Sequence, residues 1–155
     1  MRRVFIIIAG LILLFCLSCS RNSDKRDFYG TYTFEEVSYL SLLSSSTINY
    51  MSERMAGTKY TIEADLFKIE TSDNTVEISS PNYVKEEIKN DLSTLSDVYT
   101  SISDDVKYQY TIYKKDGNKT NWRLYVSSDN VWIGSYVDNT ANGTEIIMYI
   151  YKLLR

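Results

Sequence analysis

The stretch VKYQYTIYKKDGNKTNWRLYV, residues 106–126, decides the fold of this chain. Apolar and polar side chains alternate through both of its halves, which is the period of a β-strand with one buried face. The apolar positions are Val106, Tyr108, Tyr110, Ile112, Trp122, Leu124 and Val126. Between the halves, Asp116-Gly117 is a hairpin turn signal of the primed kind. The stretch therefore predicts two antiparallel strands joined by a tight turn.

Two further strands are predicted downstream of this hairpin. Ser128-Asp129-Asn130 is a turn signal, and a strand over 131–137 follows it. After another turn the chain closes on EIIMYIYKLL, residues 145–154, which is apolar on both faces. Burial on two faces is typical of a central strand, or of one that lines an occupied interior. Four hairpin-linked strands in succession form an up-and-down meander.

The upstream region also predicts β-strands. Phe28 begins the fold, and the first strand is predicted over 28–37. Two or three more strands are predicted over 59–71 and 75–80, with a turn at Ser72-Asp73-Asn74 between them. Strands thus occupy most of the chain from Phe28 onwards.

Two helices are predicted among these strands. Apolar residues from Ile48 to Met55 recur at spacings of three and four, with serine N-caps at 44–46 and a C-cap at Gly57. The same periodicity predicts a second helix from about 83 to 99. The first helix separates two strands, and the second is an insertion before the C-terminal meander.

Short motifs within these elements carry a family resemblance. Tyr29-Gly30-Thr31-Tyr32 looks like a G-x-W signature with Tyr in place of Trp, and Ser80-Pro81-Asn82-Tyr83 looks like an Asn-Pro-aromatic turn. A helix that leads through Met55–Lys59 into a strand, and a closing strand with Met148, Tyr149, Tyr151 and Lys152, complete the pattern. In this order they resemble the small bacterial lipocalin-like proteins of the calycin group. The resemblance implies a mainly β domain, either an up-and-down antiparallel β-barrel or a strongly curved sheet, with one or two helices.

Aromatic side chains are the candidate ligand-binding residues. All fourteen tyrosines lie beyond the N-terminal apolar run, and many of them fall in predicted strands. One face of each strand in a barrel points inward, so some aromatics would line a cavity for a small hydrophobic ligand. The candidates are Tyr108, Tyr110, Trp122, Tyr125, Trp132 and Tyr136. The alternative is that they fill the interior themselves, in an envelope structural or interaction protein with no ligand.

No catalytic or metal-binding constellation is predicted, and no cofactor. The chain has no histidine, which excludes Ser-His-Asp and Cys-His mechanisms and Cys/His zinc sites. The adjacent carboxylates Glu35-Glu36, Glu86-Glu87 and Asp104-Asp105 point to opposite faces wherever they lie on strands. They therefore do not form the facing pair that glycoside hydrolysis needs. We expect a protein that is not an enzyme.

The N-terminus predicts export and a lipid anchor. Arg2 and Arg3 precede the apolar run 4–17, and Ser18 stands before Cys19, which is the layout of a secretory signal. The cysteine at the cut resembles the lipobox of bacterial lipoproteins, although Cys16 stands where that motif has Leu. The resemblance implies acylation of Cys19, by palmitate or a similar chain, as a membrane anchor. The predicted domains are a helical signal peptide over 1–18, a tether over 19–27 and the β domain over 28–155.

Two alternatives for the N-terminus remain open. An uncleaved membrane helix is disfavoured by length, since a span needs about 20 apolar residues and the run over 4–17 is shorter. An ordinary signal cut near Ser20 would release a free protein. Ser20 itself follows the cysteine where an Asp would suggest retention in the inner membrane, so the outer membrane or cell surface is favoured. The location expected is the bacterial cell envelope.

The charge of the predicted mature chain excludes one class of partner. Removal of residues 1–18 takes away two of the 17 Lys and Arg and none of the 20 Asp and Glu, so the net charge falls from −3 to −5. With no basic run, nucleic acid is not an expected partner. Cys19 is then the single remaining cysteine, so no intramolecular disulfide is expected. The predicted partner is the membrane, through the lipid anchor, and the sequence does not identify a protein partner.

Overall fold

The computed structural model of the chain describes residues 26–88, 102, 105–106, 108–139 and 143–155. Within them lie nine strands and one helix. The strands are β1 (Gly30–Leu40), β2 (Lys59–Ile62), β3 (Leu66–Glu70), β4 (Thr75–Ser79), β5 (Asn82–Glu87), β6 (Tyr108–Tyr113), β7 (Lys119–Val126), β8 (Val131–Asn139) and β9 (Thr144–Leu154). The helix is α1 (Ile48–Met55). The predicted signal peptide, Cys19 and most of the tether lie outside the described residues.

All nine strands form one antiparallel sheet in the order β4-β3-β2-β1-β9-β8-β7-β6-β5. Each strand pairs with its neighbour in sequence, except that β1 pairs with β9 and that β4 and β5 do not pair. The mainly β prediction is therefore confirmed, and so is the meander from β6 to β9. The sheet is not closed into a barrel, because β4 and β5 remain its two edges in the described residues.

Side chains from every strand meet in one hydrophobic core, so the sheet must curve around it. The buried members on the strands are Tyr32, Tyr60, Ile62, Phe67, Ile69, Ile78, Tyr83, Ile112, Leu124, Val131, Ile133, Tyr151 and Leu153. Along each strand they alternate with side chains of the opposite face, as the period of two requires. We call the face that carries this core the inner face.

The outer face carries a second buried cluster on β7, β8 and β9. It consists of Ile102, Tyr125, Trp132, Tyr136, Ile147 and Ile150, with Tyr39, Ile88 and Val106 packed against it. Ile102 and Val106 precede β6, so chain from this region covers the outer face here. For residues 145–154 the sequence left two alternatives, a central strand or one that lines an occupied interior, and the central position is confirmed, since β9 lies between β1 and β8.

The first predicted helix is confirmed, with a different N-cap. Thr47, and not one of the serines at 44–46, is the N-cap, and its hydroxyl accepts a hydrogen bond from the Tyr50 amide at 3.3 Å. Gly57 follows the helix with φ +77°, a conformation that glycine adopts without steric cost. No residue of α1 is fully buried, and Met51 and Met55 pack against the inner-face core.

The second predicted helix is wrong where the structure describes it. Residues 82–87 form β5, paired with β6 through contacts such as Tyr83 with Ile112 and Lys85 with Tyr110. Val84 and Ile88 do have helical spacing, but a partner strand supplies backbone hydrogen bonds that local periodicity does not reveal. The rest of that prediction, from 89 to 99, lies outside the described residues.

Candidate functional site

The inner face and α1 border a partly open cavity of about 460 Å³. Its apolar lining includes Met51, Met55, Ile69, Val76, Trp122, Val137 and Met148. Polar side chains from the loop before α1 and from the β3–β4 turn also line it, among them Ser44, Ser46, Thr71 and Asn74. The volume lies within the range of roughly 300–1,000 Å³ typical of small-molecule sites. The cavity is the candidate functional site.

Helix α1 forms one wall of the cavity because of its amphipathic spacing. Met51, Arg54 and Met55 lie three and four residues apart, so they share one helical face, and all three line the cavity. The side chains of Ile48 and Tyr50, also on α1, are each about half exposed. The helix therefore contributes two flexible apolar side chains and one cation to the site.

Aromatic rings form the opposite wall. Tyr149 and Tyr151 are stacked, with ring centroids 4.5 Å apart and an interplanar angle of 16°. Trp122 lies 6.3 Å from Tyr149, and Phe34 meets Tyr151 edge-on at 5.4 Å. The rings thus continue from the packed core into the cavity wall. They offer a broad apolar surface to a ligand.

Three phenols at this wall are held neutral by burial. Burial raises the pKa of Tyr60, Tyr149 and Tyr151; the Tyr149 phenol further raises the pKa of the other two, and the Tyr60 phenol further raises that of Tyr151. The Tyr149 hydroxyl is hydrogen-bonded to the Ser135 side chain. The hydroxyls of Tyr60 and Tyr151 are buried and have no hydrogen-bond partner among the described residues. All three are therefore protonated at neutral pH, and two have an unused donor.

Arg54 brings positive charge to the same wall. Burial is the larger influence on Tyr149 and Tyr151, but the Arg54 guanidinium acts against it and lowers the pKa of both phenols electrostatically. Asp73, in the β3–β4 turn, is the other charged side chain that lines the cavity. Neither Arg54 nor Asp73 forms a salt bridge with another described residue.

The core beneath the cavity is closed by aromatic packing around Phe28. Its ring lies 4.6 Å from that of Tyr110 and 5.6 Å from that of Tyr83. Tyr83 donates a hydrogen bond from its hydroxyl to the Glu63 carbonyl at 3.0 Å, which links β5 to the turn after β2. Arg26 donates to the Tyr83 carbonyl at 2.9 Å. These contacts connect the β5 edge to the turn after β2 and to the segment before β1 without a backbone ladder.

The predicted ligand-binding residues on β6 and β7 separate into three environments. Trp122 lines the cavity. Tyr110 lies on the inner face but packs against Phe28, in the closed part of the core. Tyr108 is 41% exposed, and the Lys85 ammonium lies 3.6 Å from the centre of its ring. Of these three, Trp122 is placed to touch a bound molecule.

The remaining predicted residues lie together on the outer face. Tyr125, Trp132 and Tyr136 all belong to the second buried cluster, and the hydroxyls of Tyr125 and Tyr136 are hydrogen-bonded to each other. Gly134 allows this packing, because an added Cβ would lie 3.2 Å from the Tyr125 ring and 3.3 Å from the Tyr136 ring. None of the three is among the residues that line the cavity.

Sequence analysis did not single out most of the cavity residues. The sequence places Tyr149 and Tyr151 in the closing strand and Met51 and Met55 on a predicted helix, without indicating a cavity. The usable signal was the two-sided apolar pattern of residues 145–154, which predicted a strand that is central or lines an occupied interior. Tyr60 gave no comparable signal, because its position in a short strand does not show which interior it faces.

The described residues lack two other features that would point to a function. They contain no group of three or more His, Cys, Asp or Glu side chains that could hold a metal ion. They also contain no helix with the length and apolar character needed to span a bilayer. No family model, curated protein or solved structure matches this chain. The fold and the cavity are therefore the basis for a functional proposal.

Proposed function

We propose that this chain is a lipocalin-like envelope lipoprotein that binds a small hydrophobic ligand without catalysing a reaction. The observation that carries the proposal is the cavity of about 460 Å³ with apolar side chains on most of its lining. A core filled by its own side chains would have favoured a structural role instead. Here the inner face is packed around Phe28 and opens into a cavity beneath α1.

The proposed location depends on the N-terminal sequence. Arg2, Arg3, the apolar run 4–17 and the Ser18-Cys19 pair support export and acylation at Cys19. Acyl chains would hold the protein at the membrane, since each buried CH₂ contributes about 0.8 kcal/mol. The outer membrane or the cell surface is the proposed destination. A lipid surface would also be a source of apolar ligands.

The absence of catalysis in this proposal rests on the chemistry of the lining. The titratable side chains that line the cavity are Arg54, Asp73 and the phenols of Tyr60, Tyr149 and Tyr151. Burial raises the pKa of all three phenols, so they are poor bases at neutral pH. Asp73 is one carboxylate, whereas general acid–base hydrolysis of a glycoside uses two. The lining is suited to holding a molecule and not to transforming it.

A second candidate function is protein interaction, and exposed apolar residues support it. Leu42 is fully exposed, Leu43 is 70% exposed, and Ile48 and Tyr50 of α1 are each about half exposed. These residues follow β1 in sequence and form the loop and outer helix surface beside the cavity. A partner protein could cover them, and an envelope interaction module would then need no ligand.

Native mass spectrometry of the chain purified from its own host separates the two candidates. A co-purified small apolar molecule, lost after organic extraction, would support ligand binding and give the class of the ligand. A bare mass, together with no displacement of a fluorescent fatty-acid probe, would contradict ligand binding and favour the interaction module. Trp122→Ala is the variant to compare, because that ring lines the cavity. Trp132→Ala is its matched control on the outer face.

A further inference from the structure

The cavity wall contains polar groups that a purely apolar ligand would leave unsatisfied. The Tyr60 and Tyr151 side chains are each 1% exposed, and neither hydroxyl has a hydrogen-bond partner among the described residues. A buried hydroxyl without a partner is unfavourable, and native proteins contain few of them. Two such hydroxyls in residues that line one cavity suggest a ligand with a hydrogen-bond acceptor.

The charge beside these phenols is positive. Arg54 lines the cavity and acts electrostatically on Tyr149 and Tyr151, whereas Asp73 belongs to the β3–β4 turn and is not among the influences on any of the three phenols. Arg54 forms no salt bridge with another described residue, so its guanidinium is available to an anion. A guanidinium and neutral phenols are all donors, and an anionic oxygen accepts from both.

We propose that the ligand is an amphipathic anion. Its carboxylate or phosphate head accepts hydrogen bonds from Arg54 and from the Tyr151 and Tyr60 hydroxyls. Its apolar tail lies against Met51, Met55 and Ile69. This inference rests on the proposed ligand-binding function, because it assigns the chemical class of the molecule in the same cavity.

The head group reaches the hydroxyls by displacing side chains of the wall. Both hydroxyl oxygens are shielded from solvent, so a direct contact requires a local movement. Methionine is unbranched and has three rotatable bonds, which makes Met51 and Met55 suited to such a movement. Binding is therefore expected to change the environment of both methionine methyl groups.

The methionines of this chain allow a direct test. The chain has four, and three of them, Met51, Met55 and Met148, line the cavity. The full unprocessed chain, labelled with ¹³C at the methionine methyls and held in phospholipid nanodiscs, is titrated with three probes of equal chain length. The probes are dodecanoate, dodecanol and dodecyltrimethylammonium. Met1 lies outside the described residues and serves as the reference methyl for non-specific effects of the probes.

We expect the cavity to bind dodecanoate most tightly, dodecanol less tightly and dodecyltrimethylammonium least tightly. Dodecanoate should shift the NMR signals of the three cavity methyls at about tenfold lower concentration than dodecanol does. A tenfold difference is about what one charge-assisted hydrogen bond contributes to binding. Arg54→Gln should abolish that difference by weakening dodecanoate about tenfold while dodecanol binds as before. Tyr151→Phe should weaken dodecanoate and dodecanol alike, because both have an oxygen that accepts from the phenol. Lys115→Gln, an exposed cation outside the cavity, should change neither.

The outcomes distinguish this inference from the function on which it rests. Equal binding of dodecanoate and dodecanol to the unchanged chain, or an Arg54→Gln variant that keeps the preference for dodecanoate, would overturn the anionic ligand while leaving the cavity a binding site. If none of the probes shifts Met51, Met55 or Met148 more than Met1, ligand binding itself is wrong. Dodecyl phosphate, titrated in the same way, shows whether the preferred head is a carboxylate or a phosphate.

Discussion

The rings of Tyr149 and Tyr151 stack almost in parallel, with an interplanar angle of 16° and centroids 4.5 Å apart. The two residues lie two positions apart on β9, so they share the inner face. Aromatic pairs often meet edge-on, and here Phe34 supplies that contact to Tyr151 at 5.4 Å and 83°. Both rings line the cavity, and Tyr151 is also a buried member of the core. A ligand in the cavity would therefore touch rings that also pack against the core.

The two tryptophans should report ligand binding differently. Trp122 lines the cavity, whereas Trp132 is buried in the outer-face cluster. In Trp132→Phe we expect the fluorescence of the remaining Trp122 to change when dodecanoate binds, because the ligand replaces water around its ring. In Trp122→Phe the remaining signal should stay constant during the same titration. A response confined to Trp132 would contradict the location of the site.

Two buried tyrosines should differ in what their hydroxyls contribute to stability. The Tyr32 hydroxyl donates to the Phe28 carbonyl at 2.8 Å and accepts from Arg155 at 3.1 Å, whereas the Tyr60 hydroxyl has no partner among the described residues. Tyr32→Phe should lower the free energy of unfolding by about 1 kcal/mol. Tyr60→Phe should leave it within about 0.5 kcal/mol or raise it. Urea unfolding of both variants provides the measurement, and an equal loss in both would show that Tyr60 does have a partner.

Glu145 should make stability depend on acid pH. Burial tends to raise its pKa, but the hydrogen bond from Lys119 and the charge of Arg123 outweigh this effect, so its pKa lies below the ordinary value of 4.5. Because the folded pKa is the lower one, the contribution of Glu145 is complete above about pH 4.5 and is lost as the pH falls through the folded pKa. Glu145→Gln should therefore be less stable than the unchanged chain near neutral pH, and the difference should shrink in acid.

The measurement for Glu145 is the urea midpoint of both proteins at several pH values. Glu53→Gln controls for the loss of a carboxylate, since Glu53 is exposed and forms no salt bridge with another described residue. A difference between the unchanged chain and Glu145→Gln that grows as the pH falls would contradict the direction of the pKa shift.

Cys19→Ser should release the protein from the membrane. If acyl chains on Cys19 are the anchor, the variant loses the corresponding mass and appears in the soluble fraction of the envelope. Fractionation and intact mass measurement test this, with Cys16→Ser as the matched control that should remain attached. An unchanged chain that retains the mass of the full sequence and carries no acyl chains would favour an uncleaved N-terminal helix instead.

The C-terminal meander was predictable because its information is local. In residues 106–126 the alternation of side chains and the Asp116-Gly117 turn signal act over a few positions, and Gly117 does have φ +84°. The primed turn type was wrong, because Asp116 does not have a positive φ. The prediction of a helix over residues 83–87 was wrong for the opposite reason, because the information that decides this segment is not local. The β conformation of this segment depends on β6, which lies more than twenty residues away, and the apolar spacing of Val84 and Ile88 gave a false helical period.

The cavity itself was less predictable, because β7, β8 and β9 are buried on both faces. Alternation showed that Trp122 and Leu124 share one face and that Tyr125 lies on the other, but not which of those faces is inner. That choice depends on the outer-face cluster, where Ile102 and Val106 pack against the sheet. The side chains of α1 could not be assigned to a wall from the sequence, since helical periodicity does not identify what the apolar face meets.

The pairing of β1 with β9 also constrains how the molecule folds. Thr33 and Leu154 meet although they are 121 residues apart in sequence, so the sheet is completed only when distant parts of the chain find each other. Loop closure over such a separation is slow. Until β1 and β9 pair, the sheet consists of two separate parts, β1 to β4 and β5 to β9, each with exposed apolar surface. A circular permutant with Arg26 linked to Arg155 and new ends at Ser80-Pro81 would turn the whole sheet into one meander of sequential neighbours. We therefore expect the cavity to form late in folding, since its walls belong to β2 and β3 on one side of that pairing and to β7 and β8 on the other.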